Sequence, residues 1–312
     1  STWYNQYYGN GYVNAGAAIA RITGGTSYYD FPDYGGYNWG IDYVSAPEVW
    51  ARGFTGQDIV VAVIDTGVSY THSDLDNNIW INWDETYGNG IDDDRNGYVD
   101  DVLGWNFVDN NNNPMDADGH GTHVAGIIAS ENNSTGTIGV AFNSKIMPIR
   151  VLGNNGGTVE NIAKGIVYAV NNGAQVINLS LGGSYSSEIA AAVKYANDQG
   201  VFVVMAAGNE GSTEPSYPAH LATDWGVAVG SINSTGSMSN FSNRSGNNSN
   251  LKYVAAPGSS IYSTYLNNGY TYMSGTSMAT PFVSGIAALM KSANPFLTPA
   301  QMSQILTESA FG

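Results

Sequence analysis

The sequence predicts an α/β fold in three layers, with a mainly parallel central sheet that has helices on both faces. Short, uninterrupted apolar runs alternate along the chain with longer stretches whose apolar residues recur at helical spacing. Such runs are typical of strands buried on both faces, and strand–helix alternation favours parallel pairing because the crossovers lay helices over the sheet. The predicted strands are Ile59–Ile64, Ile146–Leu152, Val176–Leu181, Val201–Ala206 and Val227–Val229.

Helices are predicted between these strands and near the N-terminus. A short helix should run from Asn14, a preferred N-cap residue, to Ile22, and Gly24 should end it. Ligand sites in such folds lie beyond the carboxyl ends of the strands, so functional residues are expected there. The other predicted helices are His120–Ser130, Val159–Asn171, Ser187–Gln199 and Ala279–Ala293.

Two regions differ in composition from the rest of the chain. Residues 1–36 are rich in Tyr, Gly and Asn, and we expect them to form an N-terminal extension of a domain that spans residues 37–312. Residues 82–118 form a long insertion rich in Asp and Asn. Because the chain begins with Ser1 and not with Met, we expect a secreted protein whose signal segment has been removed.

The composition argues against several classes of function. Ten basic against 26 acidic residues give a net charge of −16, which disfavours nucleic acid and anionic membranes as partners and fits a protein that holds cations. No apolar run reaches the about 18 residues that a membrane-spanning helix needs. The chain has no cysteine, so any cross-linking must come from packing or metal ions. We expect a monomer.

Three segments place reactive side chains where such a fold puts its site. Asp65 ends the first predicted strand. His120 stands between two glycines at a helix start, and we interpret His123, on the same helix face, as a buried structural residue because the spacing is not that of a zinc motif. Ser277 precedes an apolar helix whose first-turn amides favour developing negative charge, and Pro281 is expected in that first turn. Taken singly, a turn aspartate, a packed histidine and an N-cap serine would be ordinary structural residues.

Taken together, the three segments resemble the active-site blocks of the subtilisin-like serine proteases. The resemblance extends from about residue 37 to about residue 293 and implies the subtilisin-like fold. A further segment, GWNFVD at 104–109, is similar to the calcium-rich bacterial members such as thermitase. The blocks appear in the family's order of Asp, His and Ser: Asp65-Thr66-Gly67, GHGTHVAG at 119–126 and SGTSMATP at 274–281.

The resemblance implies a role for each residue of the site in a serine endopeptidase. His120 would take the proton of Ser277, Asp65 would orient the imidazole, and Asn209 with the Ser277 amide would stabilise the oxyanion. A peptide would bind as an added strand, with a large apolar or aromatic residue preferred before the scissile bond, while Glu210 at the rim would tolerate basic residues. The implied substrate-binding residues are Ser180, Leu181, Gly182, Gly156, Gly157, Ala206, Ala207, Gly208 and Ser216.

The insertion itself has the spacing of a calcium loop. Oxygen-bearing residues alternate along it, with Gly97 at the sharp turn, so we favour a bound calcium ion over a solvated acidic turn. Leu103 stands where an EF-hand has its bidentate Glu, and Asp100 or Asp101 is expected to replace that ligand. The predicted ligands are Asp92, Asp94, Asn96, Tyr98, Asp100 and Asp101.

Two further calcium sites are implied by the resemblance alone. One joins Asp74 to the loop 131–137, with Asp30 or Asp33 as candidates for an N-terminal ligand. The loop ligands are the side-chain oxygen of Asn133 and the carbonyls of Glu131, Thr135 and Thr137. The second, weaker site would use Asn106, Asp109 and Asn111. The family also implies protein substrates and a pro-segment that assists folding and inhibits the enzyme.

Other classes of protein fit the sequence less well. A lipase motif needs Gly two residues after the nucleophile, where this chain has Ala279. A dinucleotide-binding protein needs a glycine-rich turn after its first strand, and residues 65–68 do not form one. A sedolisin-like peptidase would carry Glu in place of His120. An inactive binding protein on the same fold is the remaining alternative, and the intact triad with Asn209 argues against it.

Overall fold

The computed structural model describes residues 3–25 and 30–312, and within them seven strands form one parallel sheet while two more form an antiparallel hairpin. The order across the sheet is β2-β3-β1-β4-β5-β6-β7. The strands are β1 (Val60–Asp65), β2 (Trp105–Asn106), β3 (Lys145–Arg150), β4 (Val176–Leu179), β5 (Phe202–Ala206), β6 (Val227–Ile232) and β7 (Tyr253–Pro257), with the hairpin β8 (Ile261–Tyr265) and β9 (Gly269–Met273).

Helices cover both faces of the sheet, which confirms the predicted three-layer α/β fold. Helices α5 and α6 pack on one face, and α4 and α7 pack on the other. None of the helices in the described ranges is long and apolar enough to cross a membrane. The helices are α1 (Ala15–Thr23), α2 (Trp39–Tyr43), α3 (Ala46–Trp50), α4 (His120–Ala129), α5 (Val159–Asn171), α6 (Ser187–Asp198), α7 (Thr276–Ala293) and α8 (Pro299–Glu308).

Strand β1 shows why the apolar runs are uninterrupted. Val61 and Val63 face the core beneath α4 and α7, whereas Ala62 and Ile64 face the second core beneath α5 and α6. Both sets are fully buried. Each Val or Ile that is removed from water contributes about 1.5–3 kcal/mol to folding. Burial of both faces therefore stabilises β1 in the centre of the sheet.

All five predicted strands are confirmed, but several elements were not predicted from the sequence. Strand β7 contains Ala255, Ala256 and Pro257, which give a weak apolar signal, and its Tyr253 is the only large side chain in it. Strand β2 is too short to give a pattern. The hairpin of β8 and β9 is rich in partly exposed Tyr and Thr, and β9 has no fully buried residue.

The start of α7 differs from the prediction in a way that matters for the site. The helix begins at Thr276, three residues before Ala279, so Pro281 lies inside the helix and not in its first turn. Proline has no N–H to donate to the residue four positions earlier, so the carbonyl oxygen of Ser277 is left without its helical partner. That oxygen accepts a hydrogen bond from Ser180 Oγ at 2.8 Å, which ties the helix to the end of β4.

The predicted N-terminal helix is present as α1. The Asn14 side chain accepts a hydrogen bond from Ala17 N at 2.7 Å, and Gly24 ends the helix in the left-handed region with φ of 74°. Ile19 lies in the same core as α7, so residues before 37 contribute to the main hydrophobic core. The division of the chain at residue 37 stays a prediction.

Candidate active site

Asp65 and His120 form a close pair at the carboxyl edge of the sheet. Asp65 is the last residue of β1, and His120 is the first residue of α4. The Nδ1 atom of His120 lies 2.7 Å from Asp65 Oδ1, and Asp65 is fully buried. Because the carboxylate accepts a hydrogen bond from Nδ1–H, the other ring nitrogen, Nε2, carries no proton in the neutral ring. His120 also lines an open cleft at this edge.

Asp116, which was not singled out from the sequence, holds the two members of this pair in register. It is buried and accepts hydrogen bonds from Thr66 Oγ1 at 2.9 Å and from Gly119 N at 3.0 Å. Thr66 Oγ1 in turn accepts from Gly121 N at 2.9 Å. The turn after Asp65 and the first turn of α4 therefore share one hydrogen-bond network.

Close backbone packing explains a glycine of the same turn. A Cβ atom on Gly121 would lie 2.0 Å from the carbonyl oxygen of Gly67, so a larger residue would push α4 away from the end of β1. His123 follows in the next turn and is fully buried, with Nε2 at 3.0 Å from the carbonyl oxygens of both Ile261 and Thr271. Burial lowers the pKa of His123 to about 4, so the ring stays neutral and joins α4 to the hairpin.

The electrostatic setting of His120 is the opposite. The Asp65 carboxylate raises the pKa of His120 to about 9, against the lowering effect of burial, and Asp118 and Asp116 add to the rise. Asp118 is exposed and accepts a hydrogen bond from the backbone N–H of His120 at 3.1 Å. The three carboxylates therefore favour the protonated imidazolium.

Ser277 lies in the first turn of α7, beside the end of β4. Its hydroxyl donates to the carbonyl oxygen of Ser180 at 3.3 Å, and its own carbonyl oxygen accepts from Ser180 Oγ. No hydrogen bond joins Ser277 to His120 among the described residues. Ser180, which is hydrogen-bonded to Ser277, lines the same cleft as His120.

Asn209 follows β5 and is oriented by Thr276, a residue that the sequence analysis did not identify. Asn209 Oδ1 accepts hydrogen bonds from the backbone N–H of Thr276 at 2.8 Å and from its hydroxyl at 2.9 Å. The amide nitrogen of Asn209 lies 3.7 Å from the position that a Cβ atom on Gly275 would take, and Ser277 N lies 3.6 Å from the same position. A side-chain N–H donor thus stands at the start of α7, next to Ser277.

The predicted substrate-binding residues come together around Ser216. Ser216 N donates to Ala207 O at 2.9 Å, which holds the two walls against each other. A Cβ atom would lie 2.6 Å from Ser216 Oγ on Gly208 and 3.2 Å from it on Gly182. The glycines leave a narrow space between these walls. Leu181, Gly156 and Gly157 line the adjoining cleft with His120.

A second pocket, whose shape the sequence did not predict, adjoins Leu181. Its accessible volume is about 250 Å³, and no charged side chain of the described residues lines it. Its apolar lining includes Ile162, Leu181, Tyr185, Ile189, Tyr217 and Leu221. Because Ile162, Leu181 and Gly182 line both this pocket and the cleft at the sheet edge, the two adjoin.

A sequence profile described as the subtilase family matches residues 56–311. The chain belongs to the subtilase family. Its relatives include a thermophilic serine proteinase of Bacillus sp. (strain AK1), with 42% identity over 278 residues, which are 88% of this chain and 61% of that protein. Thermitase of Thermoactinomyces vulgaris is 41% identical over 264 residues, which are 84% of each chain.

A solved subtilase structure agrees with the fold. A cold-adapted subtilisin-like serine proteinase superposes with a TM-score of 0.66 and 36% sequence identity, over 80% of this chain and 81% of that one. The family profile begins at residue 56, so it leaves the N-terminal segment unmatched. The subtilase family resemblance drawn from the sequence blocks is therefore confirmed.

The raised pKa of His120 generates a prediction for the pH profile. We expect kcat/KM on a neutral peptide anilide to increase through the alkaline range, because a general base acts only after it has lost its proton. Asp118→Asn removes one negative charge but keeps an oxygen that can accept from the backbone N–H of His120. The midpoint of the rise should therefore move to lower pH by a few tenths, less at high salt.

The matched control is Asp224→Asn, which neutralises an exposed carboxylate on a different loop. It should leave the midpoint in place. A profile that is the same in wild type and Asp118→Asn at low ionic strength would show that the acidic surroundings do not set the protonation of His120.

Proposed function

We propose that this subtilase is a secreted, calcium-stabilised serine endopeptidase that uses Asp65, His120 and Ser277 as its triad. The observation that carries the proposal is the meeting, at one sheet edge, of the Asp65–His120 pair with Ser277 and the oriented amide of Asn209. A binding protein would not need this combination of a histidine paired with a carboxylate, a hydroxyl and an aligned N–H donor.

In the proposed reaction, the Ser277 hydroxyl rotates from Ser180 O toward Nε2 of His120. As its oxygen attacks the substrate carbonyl carbon, its proton passes to Nε2, and Asp65 stabilises the resulting imidazolium. The oxyanion accepts hydrogen bonds from Asn209 Nδ2 and Ser277 N. His120 then gives the proton to the leaving amine, and a water molecule hydrolyses the acyl-enzyme by the same steps.

The shape of the pocket supports a preference for large apolar or aromatic residues before the scissile bond. The space between residues 206–208 and residues 181–182 is walled by backbone and small side chains, with the neutral Ser216 between them. Burying an apolar side chain there is favourable, whereas a buried aspartate would lack a cationic partner. Glu210 is exposed at the rim, so a lysine could reach a negative charge.

A calcium ion at Asp74 is supported by the burial of this carboxylate without a cationic side chain among its hydrogen-bond partners. Asp74 is fully buried, and burial raises the pKa of its carboxyl. Its hydrogen-bond donors are neutral: Asn133 Nδ2 at 3.0 Å, Thr137 N at 3.2 Å and the Tyr270 hydroxyl at 3.1 Å. A buried carboxylate surrounded by neutral groups fits a site for a cation.

The loop around Asp74 differs from the expectation in its N-terminal partner. Asn38 contacts it, because its side-chain oxygen accepts a hydrogen bond from Thr137 Oγ1 at 3.4 Å. Burial raises the pKa of the Glu48 carboxyl, and Asp30 and Asp33, the candidates from the sequence, lie close enough to Glu48 to add to that rise. The Glu131 carboxylate bonds to Asn77, so a contribution of Glu131 would come from its backbone, as the resemblance implies.

In the insertion, the structure places a residue that was not predicted beside two that were. Carboxylate oxygens of Glu85, Asp92 and Asp94 lie within 4.8 Å of one another. We propose that these three hold a calcium ion and that Glu85 supplies the carboxylate for which Asp100 or Asp101 was expected. Asp100 instead accepts from the backbone of residues 89 and 90, and the buried Asp101 accepts from Asn82, Asn96 and Tyr168.

The third group, Asn106, Asp109 and Asn111, has weaker support. Asn106 Nδ2 donates to Asp109 Oδ2 at 2.9 Å, and Arg150 Nη1 lies 3.7 Å from the same oxygen. Arg150 partly balances the charge of the exposed Asp109, so this group supports a metal ion less strongly than the buried Asp74 does. The pro-segment, the monomeric state and secretion are proposals that rest on the family resemblance.

Replacing Ser277 tests the triad directly. Ser277→Ala should lower kcat on a peptide anilide by about 10⁶-fold, the loss that removal of the serine causes in subtilisin itself. Ser274→Ala is the matched control, because Ser274 is exposed in the same segment. It should keep activity of the same order as wild type. Ser277→Ala with near wild-type kcat would refute the assignment.

A substrate panel tests the neutral pocket. Peptide anilides with Phe, Leu or Tyr before the anilide should have a kcat/KM at least about tenfold higher than the Asp peptide, since burying an unpaired carboxylate in a neutral pocket is unfavourable. A panel in which Asp is the preferred residue would contradict the neutral pocket around Ser216.

Removal of calcium tests the metal sites. Thermal unfolding of the Ser277→Ala protein, in which self-digestion is not expected, should be compared in calcium and in EDTA at constant ionic strength. Each site that binds only the folded state adds about 2.7 kcal/mol at a hundredfold excess of calcium over Kd. The double variant Asp92→Asn/Asp94→Asn should lose part of the calcium effect, whereas Asp224→Asn should retain all of it. Equal midpoints with and without calcium would remove the metal from the proposal.

A further inference from the structure

The N-terminal segment, residues 3–13, lies along the outer edge of β7. Ala255 N donates to Gly11 O at 2.9 Å, and Val13 N donates to Ala255 O at 3.0 Å. Asn10 N donates to the carbonyl oxygen of Tyr253 at 2.9 Å. These bonds satisfy backbone groups that would otherwise form an open sheet edge. The segment precedes the part of the chain that matches the family profile.

The same segment holds a loop that follows β6, residues 236–246, which we name the buttress loop. The Ser245 hydroxyl is buried, donates to Asn5 O at 2.7 Å and accepts from Gly9 N at 3.0 Å. Gly246 N donates to Gln6 O at 3.1 Å. At the other end of the loop, Tyr12 donates its hydroxyl to Gly236 O at 2.8 Å. The buttress loop is thus attached to the N-terminal segment at both ends.

The opposite side of the buttress loop holds the pocket wall, residues 207–212, which includes Asn209. Asn243 N donates to Gly208 O at 2.9 Å, and Arg244 N donates to Ser212 O at 2.9 Å. In the reverse direction, Gly211 N donates to Phe241 O at 2.7 Å. The residues on both sides of Asn209 therefore take their backbone positions from the buttress loop.

The side chain of Asn243 completes this attachment and is 1% exposed. Its Oδ1 accepts from Glu210 N at 3.1 Å and from Ser212 N at 2.9 Å. Its Nδ2 donates to Ala207 O at 2.9 Å and to Glu210 Oε2 at 2.7 Å. All of the donor and acceptor capacity of the amide is used, on groups that lie before and after Asn209.

We propose that Asn243 is a positioning residue for the oxyanion donor Asn209, and that the N-terminal segment secures it through Ser245. The inference rests on the proposed function, because it assumes that Asn209 stabilises an oxyanion. Thr276 fixes the oxygen of the Asn209 amide, and Asn243 fixes the backbone from which that amide extends. Asn243 also tethers the Glu210 carboxylate at the rim of the pocket.

The size of the effect follows from the geometry. Replacing Asn243 by Ala leaves the N–H groups of Glu210 and Ser212 and the carbonyl oxygen of Ala207 without these partners. The wall must then shift to satisfy them, and a displacement of about 1 Å at a reacting group can cost about 10²-fold in rate. A hydrogen-bond donor to an oxyanion acts in the transition state, so the loss should fall mainly on kcat.

The test compares Asn243→Ala with Asn240→Ala, which makes the same change at an exposed position of the buttress loop. Active sites are first counted by titration with a serine-directed phosphonate, and kcat and KM on a Phe peptide anilide are expressed per titrated site. We expect kcat per site to fall about tenfold or more in Asn243→Ala and to stay at the wild-type value in Asn240→Ala.

A purely structural role would lower the melting temperature or the titratable fraction and leave kcat per site unchanged, and that outcome would overturn the inference. Ser245→Ala provides a second reading if Asn243→Ala does not fold. It should lower kcat per site in the same direction by about two- to fivefold, because the bond to the N-terminal segment is one step further from Asn209. An unchanged kcat there would equally count against the inference. A wild-type protein that takes up no phosphonate would instead show that the proposed function itself is wrong.

Discussion

Parallel pairing of β1, β4 and β5 is the constraint on which the site depends. Because these neighbours run in the same direction and in close register, their carboxyl ends deliver Asp65, Ser180 and Ala207 to one edge of the sheet. Reversing one strand would move its residue to the opposite edge, about 17–20 Å away. Helices α4 and α7 begin at the same edge, so His120 and Ser277, which lie in their first turns, are placed close to these three residues.

Apolar packing places these elements, but buried polar groups orient the side chains. Asp116, Thr276 and Asn243 each bind two segments that are distant in sequence, and each is almost fully buried. A buried donor or acceptor without a partner costs about 1–3 kcal/mol, so each bond resists the small displacements that apolar contacts tolerate. The geometry around Asp65 and Asn209 is therefore more sharply defined than the core that supports it.

Features that depend on neighbouring residues could be predicted from the sequence, whereas features that depend on contacts between distant residues could not. Uninterrupted apolar runs identified the central strands, whereas β7, with its small Ala255 and Ala256, needed the sheet around it to be recognised. The roles of Thr276 and Asp116 depend on partners 67 and 50 residues away, and Glu85 lies seven residues before Asp92, outside the predicted calcium loop. Asp100 and Asp101 satisfy the spacing of a calcium loop and accept hydrogen bonds from neutral donors, so their role as ligands stays a prediction.

In the proposed mechanism, the negative charge around His120 must serve two opposed requirements. A base has to be neutral before reaction, yet the imidazolium that forms during reaction must be stabilised. Asp116 accepts five hydrogen bonds, which spread its charge over neutral donors, and Asp118 is screened by solvent. Only Asp65 presents an unscreened carboxylate to the ring, with Oδ1 on Nδ1 and Oδ2 without a hydrogen-bond partner among the described residues. Asp65 thus contributes most to the stability of the imidazolium. Because its hydrogen bond with Nδ1 also fixes the tautomer, the same contact both stabilises the charge of the His120 ring and orients the ring.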